Sequence, residues 1–194
     1  MKDLPEIIRE IAPVSDAAIK EISAHICEIS LKKKETLIKE GNYCPYVFFL
    51  RSGILRCFHN SEDGKEDIIW FATEGDAVAS MHSVFKKLPA IGNIEAITPA
   101  QLYKISYADL ESLFLKHHEL ANWGRLLAEE ELYCLERRYS YTGCGDAYNR
   151  FRAFMRMRPI EMIREIPLKY IAAYLDIAPQ TLSKLRRRYA KDNK

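Results

Sequence analysis

Gln180, Thr181, Ser183, Lys184, Arg187 and Arg188 crowd one short segment, and side chains of these types can hydrogen-bond a nucleic acid. In a major groove, Gln pairs best with adenine and Lys with guanine, while a threonine near a helix start suits a phosphate oxygen. Pro179 stands at the tip of the same segment, and Lys169, near the start of the preceding element, is placed to touch backbone phosphate. Taken alone, the terminal arginines could equally be a solvated basic face. What favours contact is the apolar pattern behind them.

Other chemistries find less support. The five cysteines, at 27, 44, 57, 134 and 144, form no C-x-x-C pair, and their gaps fit no common zinc or iron–sulfur spacing. They read as reduced structural thiols; Cys134 could report oxidation, but a packed thiol is the simpler reading. His25, His59, His82, His117 and His118 carry no haem-ligand signature, and the adjacent His117 and His118 read as solvated. No Ser/His/Asp, Cys/His or metal constellation is visible, so no catalytic residues, no metal and no cofactor are expected. Glu129, Glu130 and Glu131 read as a solvated helix face, not a catalytic pair.

The elements that must position the polar cluster lie in Leu168–Arg188, LKYIAAYLDIAPQTLSKLRRR. Two short helices crossing closely need a small residue at the crossing and apolar residues at fixed offsets. Ala172 supplies the first; Ile171, Leu175, Ile177, Leu182 and Leu185 supply the second. Asp176 falls in the turn, where a left-handed backbone costs Asp less than most residues. Pro179 opens the second helix, where its missing N–H costs nothing. With Leu182 and Leu185 seated inward, Gln180 and Lys184 face out. This is a helix-turn-helix pattern.

Upstream, residues 4–31 read as helical from the spacing of Ile8, Ile11, Ile19, Ile22 and Ile26. From Glu35 to Ser106 the texture changes to short β-rich runs: 36–38, 46–50, 54–58, 68–71, 93–97 and 102–105. Turn signals such as Gly41-Asn42, Ser52-Gly53, Asp63-Gly64 and Glu74-Gly75-Asp76 separate them, which suggests a β-roll or barrel. The run from Asn60 to Lys65 reads as a hairpin loop in which Gly64 takes a positive φ. Ser106 is placed to cap a helix over 107–115 with Asp109 three residues on, and a longer helix follows from Glu119 to about Tyr139. On that helix Leu120, Trp123, Leu127 and Cys134 fall near heptad positions and are the expected dimer interface, although Glu130 and Arg137 interrupt the seam. Leu126, Leu132 and Leu135 form a second apolar flank. The stretch Thr142-Gly143-Cys144-Gly145-Asp146 is the natural domain boundary.

Charge supports this division. Residues 146–194 carry 12 Lys and Arg against 5 Asp and Glu, whereas the preceding 145 carry 17 against 22. A basic module joined to an acidic one is a common footprint of nucleic-acid binding. The densest apolar stretch, Ile68–Ala72, is strand-sized, and the first residues show no signal-peptide core, so a cytoplasmic protein with no membrane partner is expected.

Over about residues 5 to 190 the chain resembles the Crp/Fnr (catabolite activator protein) family of transcription regulators. KETLIKEGNYCPYVFFLRSGILRCFHNSEDGKEDIIWFATEGD is similar to its cyclic-nucleotide-binding β-roll, and PLKYIAAYLDIAPQTLSKLRRR to its DNA-reading unit. The resemblance implies an α+β fold: a β-roll with flanking helices, a long dimerisation helix over about 117–141, and a C-terminal helix-turn-helix domain. The domains would be 1–142 and 143–194. It further implies a homodimer on double-stranded DNA, with an effector in the roll and RNA polymerase as further partners. The alternative is a small-ligand or cyclic-nucleotide sensor acting mainly through protein contacts.

The chain departs from the family where nucleotides bind. After Gly75-Asp76, the positions of the family's ribose-binding glycine and glutamate hold Ala79 and Ser80, followed by Met81 and His82. The positions of its phosphate-binding arginine and serine hold Ala90 and Ile91, and the base-facing helix positions hold about Leu135 and Glu136. Lys86, Lys87 and His82 are off register. Ala79, Ser80, Met81, His82, Ala90, Ile91, Leu135 and Glu136 would line the effector pocket, but a cyclic phosphate in a low-dielectric pocket needs a cation or several donors. Cyclic AMP is therefore not expected to bind in the usual way, and the effector is unknown. The strand pair that follows the recognition helix in relatives has no counterpart after Arg188, so phosphate contacts are expected from Lys191, Lys194 and some of Arg150, Arg152, Arg156 and Arg158.

Overall fold

A computed structural model describes residues 1–61, 64–142, 145–157 and 160–192, with the backbone alone at 140–142 and 157. Leu4–Ile11 forms α1, opened by a reciprocal cap: Asp3 Oδ1 accepts from Glu6 N–H, and Glu6 Oε2 accepts from Asp3 N–H, both at 2.8 Å. Pro13 follows the end of α1, and α2 runs over Asp16–Ser23 behind a Ser15 cap. The expected helix does not continue to residue 31. Cys27–Leu31 is instead β1, paired antiparallel with Ala100–Ser106. The interval from Ile22 to Ile26 fits one helical turn, yet the chain leaves the helix at Ala24.

The roll consists of two antiparallel four-stranded sheets. After β1 come β2 (Thr36–Ile38), β3 (Tyr46–Ser52), β4 (Leu55–Asn60), β5 (Glu66–Ala72) and β6 (Ala77–Ala79). A short helix α3 (Met81–Lys86) precedes β7 (Asn93–Ala96) and β8 (Ala100–Ser106). One sheet has the order β1-β8-β3-β6 and the other β2-β7-β4-β5. In the β4–β5 hairpin Gly64 takes φ 78°, while Glu62 and Asp63 lie outside the described residues.

The two-residue period of a strand sorts these side chains between two environments. Phe48 and Leu50 of β3 meet Leu55 and Cys57 of β4 and Leu102 of β8 inside the roll. Val47 and Phe49 point the other way, into a cluster with α1, α2, α4 (Tyr107–Lys116) and the first half of α5 (His118–Thr142). Ser106 caps α4 by accepting from Asp109 N–H at 3.0 Å. Phe114 of α4 sits where a side chain on Gly124 would stand, 2.6 Å from that missing Cβ, so glycine lets α4 and α5 close together.

The outer face of the second sheet is covered by the C-terminal helices. Phe58, Ile68 and Phe71 share a cluster with residues of α6 (Ala147–Met157), α7 (Ile160–Glu165), α8 (Leu168–Tyr174) and α9 (Pro179–Asp192). Asp146 Oδ1 accepts from Asn149 N–H at 2.8 Å at the start of α6. Gly143 and Cys144, within the expected boundary, lie outside the described residues, as do Arg158 and Lys194.

Candidate nucleic-acid interface

Helices α8 and α9 are joined by a turn in which Asp176 takes the left-handed backbone, at φ 49°. Ile177 N–H donates to Ala172 O at 3.0 Å across that turn. Ala172, Ile171, Leu175 and Leu182 are buried, with Leu182 fully so, and Ile177 and Leu185 pack partly against them. The small side chain of Ala172 is what lets the helices approach.

With Leu182 inward, Gln180, Lys184, Arg187 and Lys191 recur at helical spacing on the opposite side, and all four are exposed. Pro179 is exposed at the start of α9, Thr181 is half-buried, and Ser183 is exposed with its hydroxyl donating to Pro179 O at 3.2 Å. Arg188 is drawn aside. Its guanidinium lies 3.8 Å from the ring centroid of Tyr148 on α6, and its Nε is 3.8 Å from Asp192 Oδ2. Asp192 also pairs with the Tyr148 hydroxyl. Lys169 is exposed, with its ammonium 4.7 Å from the centroid of Tyr170.

Arg150 does not project outward as expected for a phosphate contact. Its Nε donates to Leu175 O at 3.2 Å and its Nη1 to Gly145 O at 3.1 Å, so it braces the turn from behind. Arg156 is exposed, whereas Arg152 is half-buried beside Tyr148.

The residues expected to line an effector pocket lie in different local environments. Ser80 caps α3 by accepting from Ser83 N–H at 3.3 Å. Ala90 is buried, its N–H donating to Asn42 O at 2.9 Å and its carbonyl accepting from Gly41 N–H at 2.8 Å. Ala79 and His82 are half-buried, while Met81 and Ile91 point to solvent, and Leu135 and Glu136 are exposed on the distal half of α5. Among the described residues, the buried polar or charged side chains are Arg56, Ser80 and Ser83. Among the described residues, no group of three or more His, Cys, Asp or Glu is placed to hold a metal ion.

The expected dimer contacts divide in two. Leu120 and Trp123 are fully buried in the chain's own core, Trp123 against Phe49 and Phe114, so neither is offered to a second copy. Leu127 is partly packed on the same cluster, and Cys134 is exposed beside Glu130. The apolar stripe left outside is Ala128, Leu132, Leu135 and Tyr139, at steps of four, three and four residues.

One buried cation was not signalled by the sequence. Arg56 on β4 is 2% exposed and faces outward from the roll, toward α8. Its two Nη atoms donate to both Glu66 oxygens at 2.6 and 2.8 Å, and its Nε to Glu95 Oε1 at 3.1 Å. The guanidinium lies over both Phe58 and Tyr170, 4.0 Å from each ring centroid. The hydrogen bonds from Arg56 hold the Glu66 carboxyl below its ordinary range. A lone Arg in a strand pattern gives no hint of such a nest, because both acids and one ring come from other elements.

Residues 28–117 match the cyclic nucleotide-binding domain family. No curated protein matches the chain. Among solved structures, FixK2 from Bradyrhizobium japonicum aligns with a TM-score of 0.73 at 20% identity, over 87% of this chain and 86% of that one. The c-di-GMP responsive global regulator CLP, which links cell–cell signalling to virulence gene expression in Xanthomonas campestris, aligns at 0.69 and 15% identity, over 92% and 93%. A protein from Eubacterium rectale, provisionally described as a transcriptional regulator of the Crp/Fnr family, aligns at 0.67 and 18%, over 92% and 85%. At these identities the likeness is one of fold. The roll, the long helix and the C-terminal helices are arranged as in Crp/Fnr-type regulators.

Proposed function

We propose that the chain is a DNA-binding transcription regulator of the Crp/Fnr type, acting as a homodimer in the cytoplasm, with residues 1–142 as a sensor-like domain and 143–194 as the DNA-binding domain. The observation that carries this reading is the exposed stripe Gln180, Lys184, Arg187 and Lys191, set opposite the buried Leu182 on a helix held by a tight crossing. A helix of this kind fits a major groove, with Gln180 and Lys184 at base edges and Arg187, Lys191 and Lys169 at phosphates. Thr181 and Ser183 are flanking contacts, and Pro179 fixes the tip. Arg188 contributes only if it leaves Tyr148. The exposed stripe on α5 supports a parallel helical seam between two copies, which would present two such helices to one site. RNA polymerase is the expected protein partner.

Ala79, Ser80, Ala90 and Ile91, at the positions of the family's ribose and phosphate ligands, support a sensor domain that does not take cyclic AMP in the usual way, since none of them offers the phosphate a cation. Titration calorimetry with cyclic AMP and cyclic GMP tests this, and micromolar binding contradicts it.

Selection of DNA from a random library, followed by fluorescence binding across a salt series, tests the main reading. A regulator gives sequence-dependent, salt-dependent affinity. Gln180→Ala or Lys184→Ala should relax one base position by about 1–3 kcal/mol. Equal weakening on every sequence makes them phosphate contacts, and no sequence preference in the unaltered protein rejects the proposal.

A further inference from the structure

We infer that Asp192 is an internal counter-ion that holds Arg188 aside, and that a DNA backbone phosphate takes its place when α9 meets a duplex. This rests on the regulator reading above and gives Asp192 a part in setting the affinity.

Arg188 lies at the rim of the exposed stripe on α9. It follows Lys184 by four residues and precedes Lys191 by three, so it neighbours both on the helix surface. It is nevertheless turned toward α6, with its guanidinium 3.8 Å from the centroid of the Tyr148 ring. The Tyr148 hydroxyl donates to Asp192 Oδ2, and the same oxygen stands 3.8 Å from Arg188 Nε. Phe151, three residues after Tyr148, meets Tyr189 edge-on with centroids 5.7 Å apart, which fixes α6 beside α9. One ring, one carboxylate and one guanidinium therefore close on each other along the flank of the helix.

The closure is weak at the contact that must open. At 3.8 Å the Arg188–Asp192 pair is beyond hydrogen-bond reach, and its side chains are 61% and 49% exposed, so water and salt screen it. Asp192 is also the last residue of α9, where the unpaired carbonyls of a helix disfavour an acid. A phosphate is the better partner for a guanidinium, because it accepts two parallel N–H bonds. Departure of Arg188 does not strand the carboxylate. Asp192 keeps the Tyr148 hydroxyl, and the Arg152 guanidinium lies 5.8 Å from the centroid of the same ring. Two cations beside one ring share one carboxylate, so one of them is in excess, and Arg188 is the one that borders the stripe.

The test is duplex binding by the full chain, read by fluorescence anisotropy on a selected duplex and on an unrelated one of equal length. Asp192→Asn keeps the size of the side chain and removes its charge. It should bind both duplexes about fivefold more tightly, with a salt slope steeper by about one, as for one added phosphate contact. Asp192→Ala, which also removes the hydrogen bond, should do the same. Combined with Arg188→Gln, the gain from Asp192→Asn should fall below about twofold, because the cation it releases is gone. Circular dichroism melts confirm that each variant folds. Unchanged affinity in the Asp192 variants overturns the inference. A gain that persists at full size alongside Arg188→Gln also overturns it, being a general effect of charge. Equal affinity of the unaltered protein for both duplexes rejects the regulator reading and leaves the Asp192 comparison to be decided on its own, whereas binding to neither duplex rejects both.

Discussion

The guanidinium of Arg56, on β4 of the roll, stacks 4.0 Å from the ring centroid of Tyr170, on the first helix of the helix-turn-helix. The next residue after Tyr170 is Ile171, 2% exposed in the core behind the α8–α9 crossing. The Arg56 guanidinium thus joins the roll to the helix that supports the proposed DNA-reading element. Phe71 reinforces the joint, packing on Phe154 and Tyr174.

Removing either partner should loosen that joint by different amounts. Tyr170→Leu keeps apolar cover but removes the ring, for an expected loss of about 1–2 kcal/mol. Arg56→Met leaves the carboxylates of Glu66 and Glu95 without their cation in a partly buried site, for a larger loss of about 2–4 kcal/mol. Urea unfolding gives both values. Equal stability in all three proteins would show that the stack carries no energy.

Acid should weaken the same joint. Arg56 lowers the Glu66 pKa below its ordinary 4.5, so the ion pair stabilises the fold fully above that value. Stability is lost as pH falls through the lower folded value, when Glu66 takes up its proton. Glu66→Gln should lower stability near neutrality by about 1–2 kcal/mol and shrink the difference from the unaltered protein below about pH 4. A difference that stays constant down to acid pH would contradict this sign.

The positions of these strands were readable because short β-rich runs alternate with turn signals: the runs at 36–38 and 46–50 fall on β2 and β3, and Asp176 adopts the left-handed turn expected of it. The helix seam was less readable. Two apolar flanks of α5 share a similar period, and only folding decides that Leu120 and Trp123 serve the chain's own core. Strand β1 escaped notice because Ile22 and Ile26 mimic a helical step. The Arg56 nest and the turn brace by Arg150 are contacts between distant segments, and no local spacing encodes them.

Thiol reactivity should separate the cysteines by burial. Desolvation pushes the Cys57 thiol up to about 12, so it holds almost no thiolate at mildly alkaline pH. Burial also raises Cys44, while Cys27 and Cys134 are exposed. Alkylation followed by peptide mass spectrometry should label Cys27 and Cys134 first, Cys44 slowly, and Cys57 only on unfolding. Early labelling of Cys57 would mean that the roll opens readily.

The turn itself should tolerate, and gain from, glycine. Asp176 holds φ 49° and is exposed, so its side chain pays a steric cost that glycine avoids. Asp176→Gly should stabilise the C-terminal helices by about 0.5–1 kcal/mol, the greater chain entropy of glycine offsetting part of the gain. A lower melting temperature would indicate that the aspartate side chain itself holds the turn.

Ala172 provides the sharper test, because it links packing to the proposed function. It is 1% exposed, its carbonyl accepts from Ile177 N–H at 3.0 Å, and its neighbours Leu182 and Leu175 are no more than 1% exposed. Leucine at 172 has no space to occupy without pushing α9 from α8, at an expected cost of about 1–3 kcal/mol. The displaced helix would carry Gln180 and Lys184 with it, and base contacts tolerate little misplacement. Ala172→Leu should therefore lose sequence preference on selected DNA while keeping the salt-dependent attraction of the basic helices. Ala172→Gly, which fits the crossing but weakens the helix by about 1 kcal/mol, should keep that preference. If the leucine variant still discriminates between sequences, the close α8–α9 crossing is not what aims the proposed DNA-reading helix.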